Sequence, residues 1–408
     1  MNLEQLDQAA VSLHHHAPAD ARGSYPAYPQ DLLAVAACET ARGVIASWPG
    51  YRPSPLHVLK GLAHDLGIAG LYYKDESERF GLGSFKALGG AYAVLRLLAR
   101  EISIRTGCPV SDTDVVTAKF PEAAGKITVI TATDGNHGRS VAWGAKQFGC
   151  ECFIYMHTGV SKARAAAVED FGATVVWVDG NYDDSVRRAA ADAAANGWFV
   201  VSDTSWEGYT DIPRHVMAGY TMMTEEIAGQ LPAGEIPSHV FVQGGCGGLA
   251  GAVLGHLWQM HGENCPRFIV VEPDRADCLY KSACNGRPTD VRVTDETLMA
   301  GLSCGEVSLI GWEILSAGAN DFMTITDDLV APVMTLLAKG VNGDQSIVAG
   351  ESAVAGLAGL IAARRNPDLS ERLALDEHSR VLVFGTEGAT DPVIYRYIVG
   401  SAPEDVAA

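Results

Sequence analysis

Lys86 stands in GLGSFKALGGAYAV, between Phe85 and Ala87, directly after a Gly-Leu-Gly-Ser turn and ahead of small apolar residues. A helix start disfavours an ammonium, and partial burial disfavours it further. Asp134 and Asn136 share the turn DGNHG, a carboxylate and an amide two residues apart. Gly244, Gly245, Gly247 and Gly248 surround Cys246 in QGGCGGLAG, where backbone N–H groups can close on an anion. Thr386 opens TEGATD, Asp203 closes WFVVSD, and Glu351 lies in AGESAVAG. As an isolated acid at the end of a strand, Asp203 also reads as a turn cap, and Glu351 as a capping residue. His137, inside the Asn-His turn, reads as structural.

These residues follow short apolar runs. GLYYKDE (70–76), ITVITAT (127–133), CFIYMH (152–157), TVVWVDG (174–180), WFVVSD (198–203), HVFVQ, FIVVEP (268–273) and RVLVFG (380–385) predict strands. Helical patterns separate them, including one over 84–102 with Ser84 as its cap and one beginning near Gly138. Single helices between strands imply crossover units and parallel sheets, an α/β fold. In such sheets ligands gather at the carboxyl ends of the strands, where the residues above stand. The early segment LHHHAPAD reads as a solvated loop.

At 408 residues, two domains are expected. A formal charge of −19 argues against nucleic acid or an anionic membrane surface as partner and suits a cationic substrate. No apolar run is long enough to span a bilayer, and MNLEQLDQAA lacks the pattern of a signal peptide, so a cytoplasmic location is expected. The nine cysteines are scattered. Cys150 and Cys152 have the wrong spacing for a zinc knuckle, and no metal site is predicted. Cys278 and Cys304 are open to pairing, although buried thiols are the simpler reading.

The glycine turn supports a second chemistry. Gly245, Gly247 and Ala250 fit a dinucleotide-binding fingerprint, and Glu272 at the end of the next strand would be the ribose acid. A nicotinamide-dependent oxidoreductase is therefore an alternative, although it leaves Lys86, Asp134 and Asn136 without a role.

Taken together, KDESERFGLGSFKALGGAYA, TATDGNHGRSVAWGAKQFG, VSDTSWEGYTDIP, QGGCGGLAGAVLG and TEGATDP resemble the fold type II pyridoxal-phosphate enzymes of the tryptophan synthase β-like group. Within it they are most similar to the diaminopropionate ammonia-lyases. The resemblance implies two domains, each a mainly parallel sheet flanked by helices: a large cofactor domain (1–95 and 215–408) and a small one (96–214). It implies pyridoxal 5'-phosphate linked to Lys86, with its phosphate on Gly244, Gly245, Cys246, Gly247 and Gly248. Asn136 would bond the ring's 3-oxygen and Thr386 would face the ring nitrogen. Asp134 would act as a base opposite Lys86, and Asp203 would stand near the substrate. The implied reaction converts D- or L-2,3-diaminopropionate to pyruvate and two ammonia in a homodimer. Ala389 and Cys246 depart from the lyase pattern, and serine, threonine or hydroxyaspartate dehydration stays open.

Overall fold

The computed structural model describes residues 10–25, 33–133 and 135–406; Asp134 lies outside the described residues. The chain divides into two compact units, one of Met1–Leu33, Pro53–Ser84 and Met223–Ala408, the other of Ala34–Arg52 and Phe85–Met222. These cuts differ from the boundaries at 95/96 and 214/215 read from the sequence. The helix that begins at Lys86 packs along the Asn136–Phe148 helix and goes with that unit.

The first unit is built on a seven-stranded sheet in the order Val11–His15, Asp321–Ile325, Arg267–Pro273, His239–Gln243, Arg380–Gly385, Gly70–Asp75, Leu56–Val58. The inner pairs are parallel and the two edge strands antiparallel. Inner strands such as HVFVQ and DFMTI are buried at every position. Parallel sheets covered on both faces require such unbroken apolar runs rather than alternation.

The edge strand Val11–His15 corrects the solvated-loop reading of LHHHAPAD. His15 Nδ1 lies 3.0 Å from Asp321 Oδ1 and its Nε2 lies 3.0 Å from Asp20 Oδ2. Carboxylates only accept, so both ring nitrogens must donate and His15 is held as an imidazolium. The hydrogen bonds to Asp20 and Asp321 raise its pKa accordingly. Among the described residues no three His, Cys, Asp or Glu side chains gather as a metal site.

The second unit carries a four-stranded parallel sheet in the order Thr174–Val178, Glu151–His157, Thr128–Ala132, Phe199–Val200. The helix Lys86–Thr106 starts two residues later than expected and runs one turn further, to a left-handed stop at Gly107. Ser84 is not its cap, since no side chain caps the helix, and Ser84 instead bridges Glu387 through the main chain. The helix expected near Gly138 starts at Asn136, two residues earlier.

Small residues let the Lys86 helix approach its neighbours closely. A Cβ on Gly89 would lie 2.4 Å from the Tyr220 ring, and one on Gly90 would lie 2.5 Å from Ser140 Oγ. One on Gly144 would lie 2.8 Å from Ala91 Cα. Ser140 Oγ also accepts the Ala91 N–H at 3.0 Å. Among the described residues no helix is long and apolar enough to cross a membrane, and the nine cysteines stand as thiols.

Candidate active site

Lys86 occupies the first helical position, and its ammonium Nζ donates to Asp203 Oδ2. The two side chains are 22% and 19% exposed, so the pair is sheltered yet reachable. Nζ also stands 5.2 Å from the centre of the Phe85 ring. Asp203 lies just beyond the short strand Phe199–Val200, on a segment held by Tyr209. The Tyr209 hydroxyl donates to Val200 O at 2.9 Å and accepts from the Ser202 N–H at 3.0 Å.

His137 closes the other side. Its Nε2 donates to Val201 O at 2.8 Å, and its Nδ1 is 3.8 Å from Asp203 Oδ2. Burial would push the Asp203 carboxyl up, but the charges of Lys86 and His137 outweigh it and hold the group well below the usual range. Burial lowers the His137 pKa, with the Asp203 charge pulling the other way. The helix start and burial favour a neutral amine at position 86, whereas a carboxylate beside Nζ opposes it. The pair is thus a place where one proton is held between an amine and an acid. Asn136 begins its helix half-buried, and the preceding turn is closed by Thr133 Oγ1, which accepts from the N–H groups of Gly135 (3.1 Å) and Gly138 (3.4 Å).

In the other unit, the turn after His239–Gln243 has two features that glycine alone satisfies. Gly247 takes φ +101°, and a Cβ on Gly244 would lie 2.5 Å from Glu272 Cγ. Two of its donors are already taken: the Gly244 N–H bonds Val271 O on the neighbouring strand (2.9 Å) and the Gly247 N–H bonds Gly244 O within the turn (3.1 Å). The expectation of five phosphate-binding amides is corrected to that extent. The helix Gly248–His261 follows directly, and the first-turn amides of Gly248, Leu249 and Ala250 have no partner within it. A phosphate fits this donor set, with the helix dipole added.

Glu272 is not a ribose acid. It is fully buried, and its two oxygens accept the amides of Leu279 (3.1 Å) and Tyr280 (2.7 Å) at the start of the helix Cys278–Asn285. Burial pushes its carboxyl up to about 8 despite those amides. The oxidoreductase reading loses its acid.

Thr386 is buried just past Arg380–Gly385. Gln243 Nε2 donates to Ala353 O (2.8 Å) and Phe384 O (2.7 Å) and reaches Thr386 Oγ1 at 3.3 Å. The two carbonyls take both Nε2 protons, so Gln243 holds the end of the strand against which the Thr386 hydroxyl packs. A hydroxyl there, unlike a carboxylate, would not enforce protonation of a ring nitrogen.

Two residues escaped the sequence reading. Gln243 is a polar residue closing an otherwise apolar strand, a signal that was available. Glu387 organises the first unit's turn: its Oε1 accepts the Ser352 N–H (3.1 Å), its main-chain oxygen accepts the Gly350 N–H (3.0 Å), and it bridges Ser84. Next to it, the Gly388 N–H bonds Gly83 O (3.0 Å), three residues before Lys86. Glu351 is buried and makes no side-chain cap.

Residues 47–386 match the family model described as pyridoxal-phosphate dependent enzyme. The chain is 42% identical over 366 residues to the diaminopropionate ammonia-lyase of Escherichia coli, covering 88% of this chain and 90% of that protein. The Salmonella typhimurium enzyme is 41% identical, with 86% and 89% covered. The crystal structure of the E. coli lyase with an aminoacrylate–PLP azomethine intermediate superposes with a TM-score of 0.86 at 39% identity, over 96% of this chain and 97% of that one. A threonine deaminase from Solanum lycopersicum, 18% identical with a TM-score of 0.71, shares the fold over 95% of this chain and 96% of its own. A sheltered lysine at a helix start, a glycine turn leading into a helix and a buried threonine hydroxyl thus meet a match over most of the chain, which belongs to the pyridoxal-phosphate dependent enzymes of fold type II.

Proposed function

We propose that this enzyme eliminates ammonia from 2,3-diaminopropionate, D or L, giving pyruvate and, after addition of one water, two ammonia. The observation that carries this reading is the Lys86–Asp203 pair, set in a chain so similar to the diaminopropionate ammonia-lyases. Pyridoxal phosphate, when bound, supplies the carbonyl that takes an amine and a ring that spreads the negative charge left at the α-carbon.

Lys86 Nζ is the amine that holds the cofactor between turnovers and, once released, takes the α-proton of the L-substrate. Asp203 steadies that amine and receives or returns its proton. The amides of Gly245, Cys246 and Gly248 would hold the phosphate, with Gly244 and Gly247 shaping the turn. Asn136 would bond the 3-oxygen, and Thr386 would face the ring nitrogen. A hydroxyl there, unlike a carboxylate, would not enforce protonation of that nitrogen, which would favour elimination, a reaction that needs only a modest electron sink. Asp134 is proposed as base for the D-substrate, on the strength of the family resemblance. The leaving β-ammonium already carries its proton, so little acid help is required. A homodimer in the cytoplasm is proposed on the same resemblance.

The test is a panel of D- and L-diaminopropionate, serine and threonine, scored for pyruvate or oxobutyrate. Rapid pyruvate release from diaminopropionate supports the proposal. Fast turnover of serine with none of diaminopropionate would overturn it in favour of a dehydratase.

A further inference from the structure

Further along the same helix, the second unit contains a cavity of about 230 Å³ lined by Arg96, Arg100, Ser103 and His215, with Leu97, Ala99, Val110 and Ile212 completing the wall. Arg96, Arg100 and Ser103 lie one or two turns apart on Lys86–Thr106, and His215 on the facing helix Asp211–Gln230. Arg96 is ten residues beyond Lys86, ~15 Å along the helix axis.

The lining contains no carboxylate. The acids that pair with these arginines sit outside it: Asp112 takes Arg96 Nη1 at 2.8 and 2.9 Å, and Glu101 takes Arg100 Nε at 3.0 Å. Among the described residues, the one ion pair of Arg214, next to His215, is a 3.7 Å contact with the exposed Asp211. Two guanidinium donors, Arg96 Nε and Arg214 Nε, are buried without an acceptor among the described residues. Of the two, Arg96 belongs to the cavity wall and Arg214 does not; a buried donor of that kind calls for a water or an ion.

We propose that this cavity binds a small oxyanion, the phosphate or carboxylate group of a metabolite, between Arg96, Arg100 and His215. Guanidinium groups meet such anions through paired N–H donors. His215 senses the same field. Burial first, then the charges of Arg96, Arg100 and Arg214, push its pKa down to about 4, and only Asp211 opposes them. The Tyr92 ring packs edge-on against it at 6.2 Å. An anion seated among these groups would raise the His215 pKa from that value, so proton uptake should accompany binding and affinity should rise as pH falls towards 4.

The test uses the cofactor-loaded enzyme, so that the glycine turn is already filled. Inorganic phosphate and, separately, malonate are titrated by calorimetry at low ionic strength, with the His215 imidazole followed by NMR. The expected result is saturable binding of at least one anion that moves the His215 signal and weakens at least tenfold in Arg100→Ala. Arg100 is half-exposed and its side-chain bond is to the adjacent Glu101, so this variant should fold and keep its activity without anion. Phosphate alone, malonate alone or both identify the preferred oxyanion. No binding of either below 50 mM, equal binding by Arg100→Ala, or an unmoved His215 signal would overturn the proposal. Failure here leaves the lyase reading untouched, because that panel is run without added anion.

Discussion

Two lysines twelve positions apart illustrate how surroundings decide what an amine is for. Lys74, in the first unit, is fully buried and its three ammonium protons are matched by Ser54 O (2.8 Å), Glu226 Oε2 (2.7 Å) and Gln230 Oε1 (2.9 Å). Arg79 completes the cage, bonding Glu76 and Glu226 through paired contacts of 2.7–2.8 Å. Two cations and two carboxylates balance out of reach of water. Lys86, in the second unit, meets Asp203 at a sheltered but open position. Burial lowers the Lys74 pKa although Glu76 and Glu226 pull upward, yet the amine has nowhere to go. Low polarity alone does not make a reactive lysine. Access and a partner that can surrender or accept one proton do.

The contrast breaks most visibly at Lys86. Lys86→Ala should cut turnover by at least about a thousandfold and abolish borohydride incorporation of the cofactor, with melting little changed. Lys74→Met should do the reverse. Stranding Glu226 opposite a lost charge should cost about 3–5 kcal/mol in urea unfolding while activity per folded molecule stays within twofold. Asp203→Asn probes the partner rather than the amine, and about a ten- to hundredfold fall in kcat is expected, read from initial rates.

The smallest effect concerns a buried carboxyl, Glu272, which accepts two amides and meets no cation among the described residues. Its pKa is raised in the folded chain, to about 8, above an unfolded value of about 4.5. Its contribution is therefore complete below about pH 4.5 and drains away as pH rises towards 8. Urea midpoints of the wild-type chain should decline across that window. In Glu272→Gln, less stable throughout, this part of the slope should vanish.

Strands, the glycine turn and Lys86 were legible because each is signalled within a dozen residues. The Lys86–Asp203 contact was not, as the partners are 117 positions apart and an isolated strand-end Asp is indistinguishable from a turn cap. The His15 strand was hidden for a related reason. Three histidines look hydrophilic until Asp321, 306 positions away, supplies the countercharge. Ser84 misled because a serine before a helix usually caps it, whereas here its main chain is taken by Glu387. Glu272 mimicked a ribose acid through spacing alone. Burial and the two amides it accepts reveal its architectural role.

The small-residue seam under the Lys86 helix has a consequence for anyone hoping to retune this enzyme. Where Gly90 meets Ser140 and Gly144 meets Ala91 there is almost nothing left to trim, so the rod bearing the amine can be pushed outward but not drawn closer. Shifts of Lys86 are available in one direction only, and an added methyl group is already a large step.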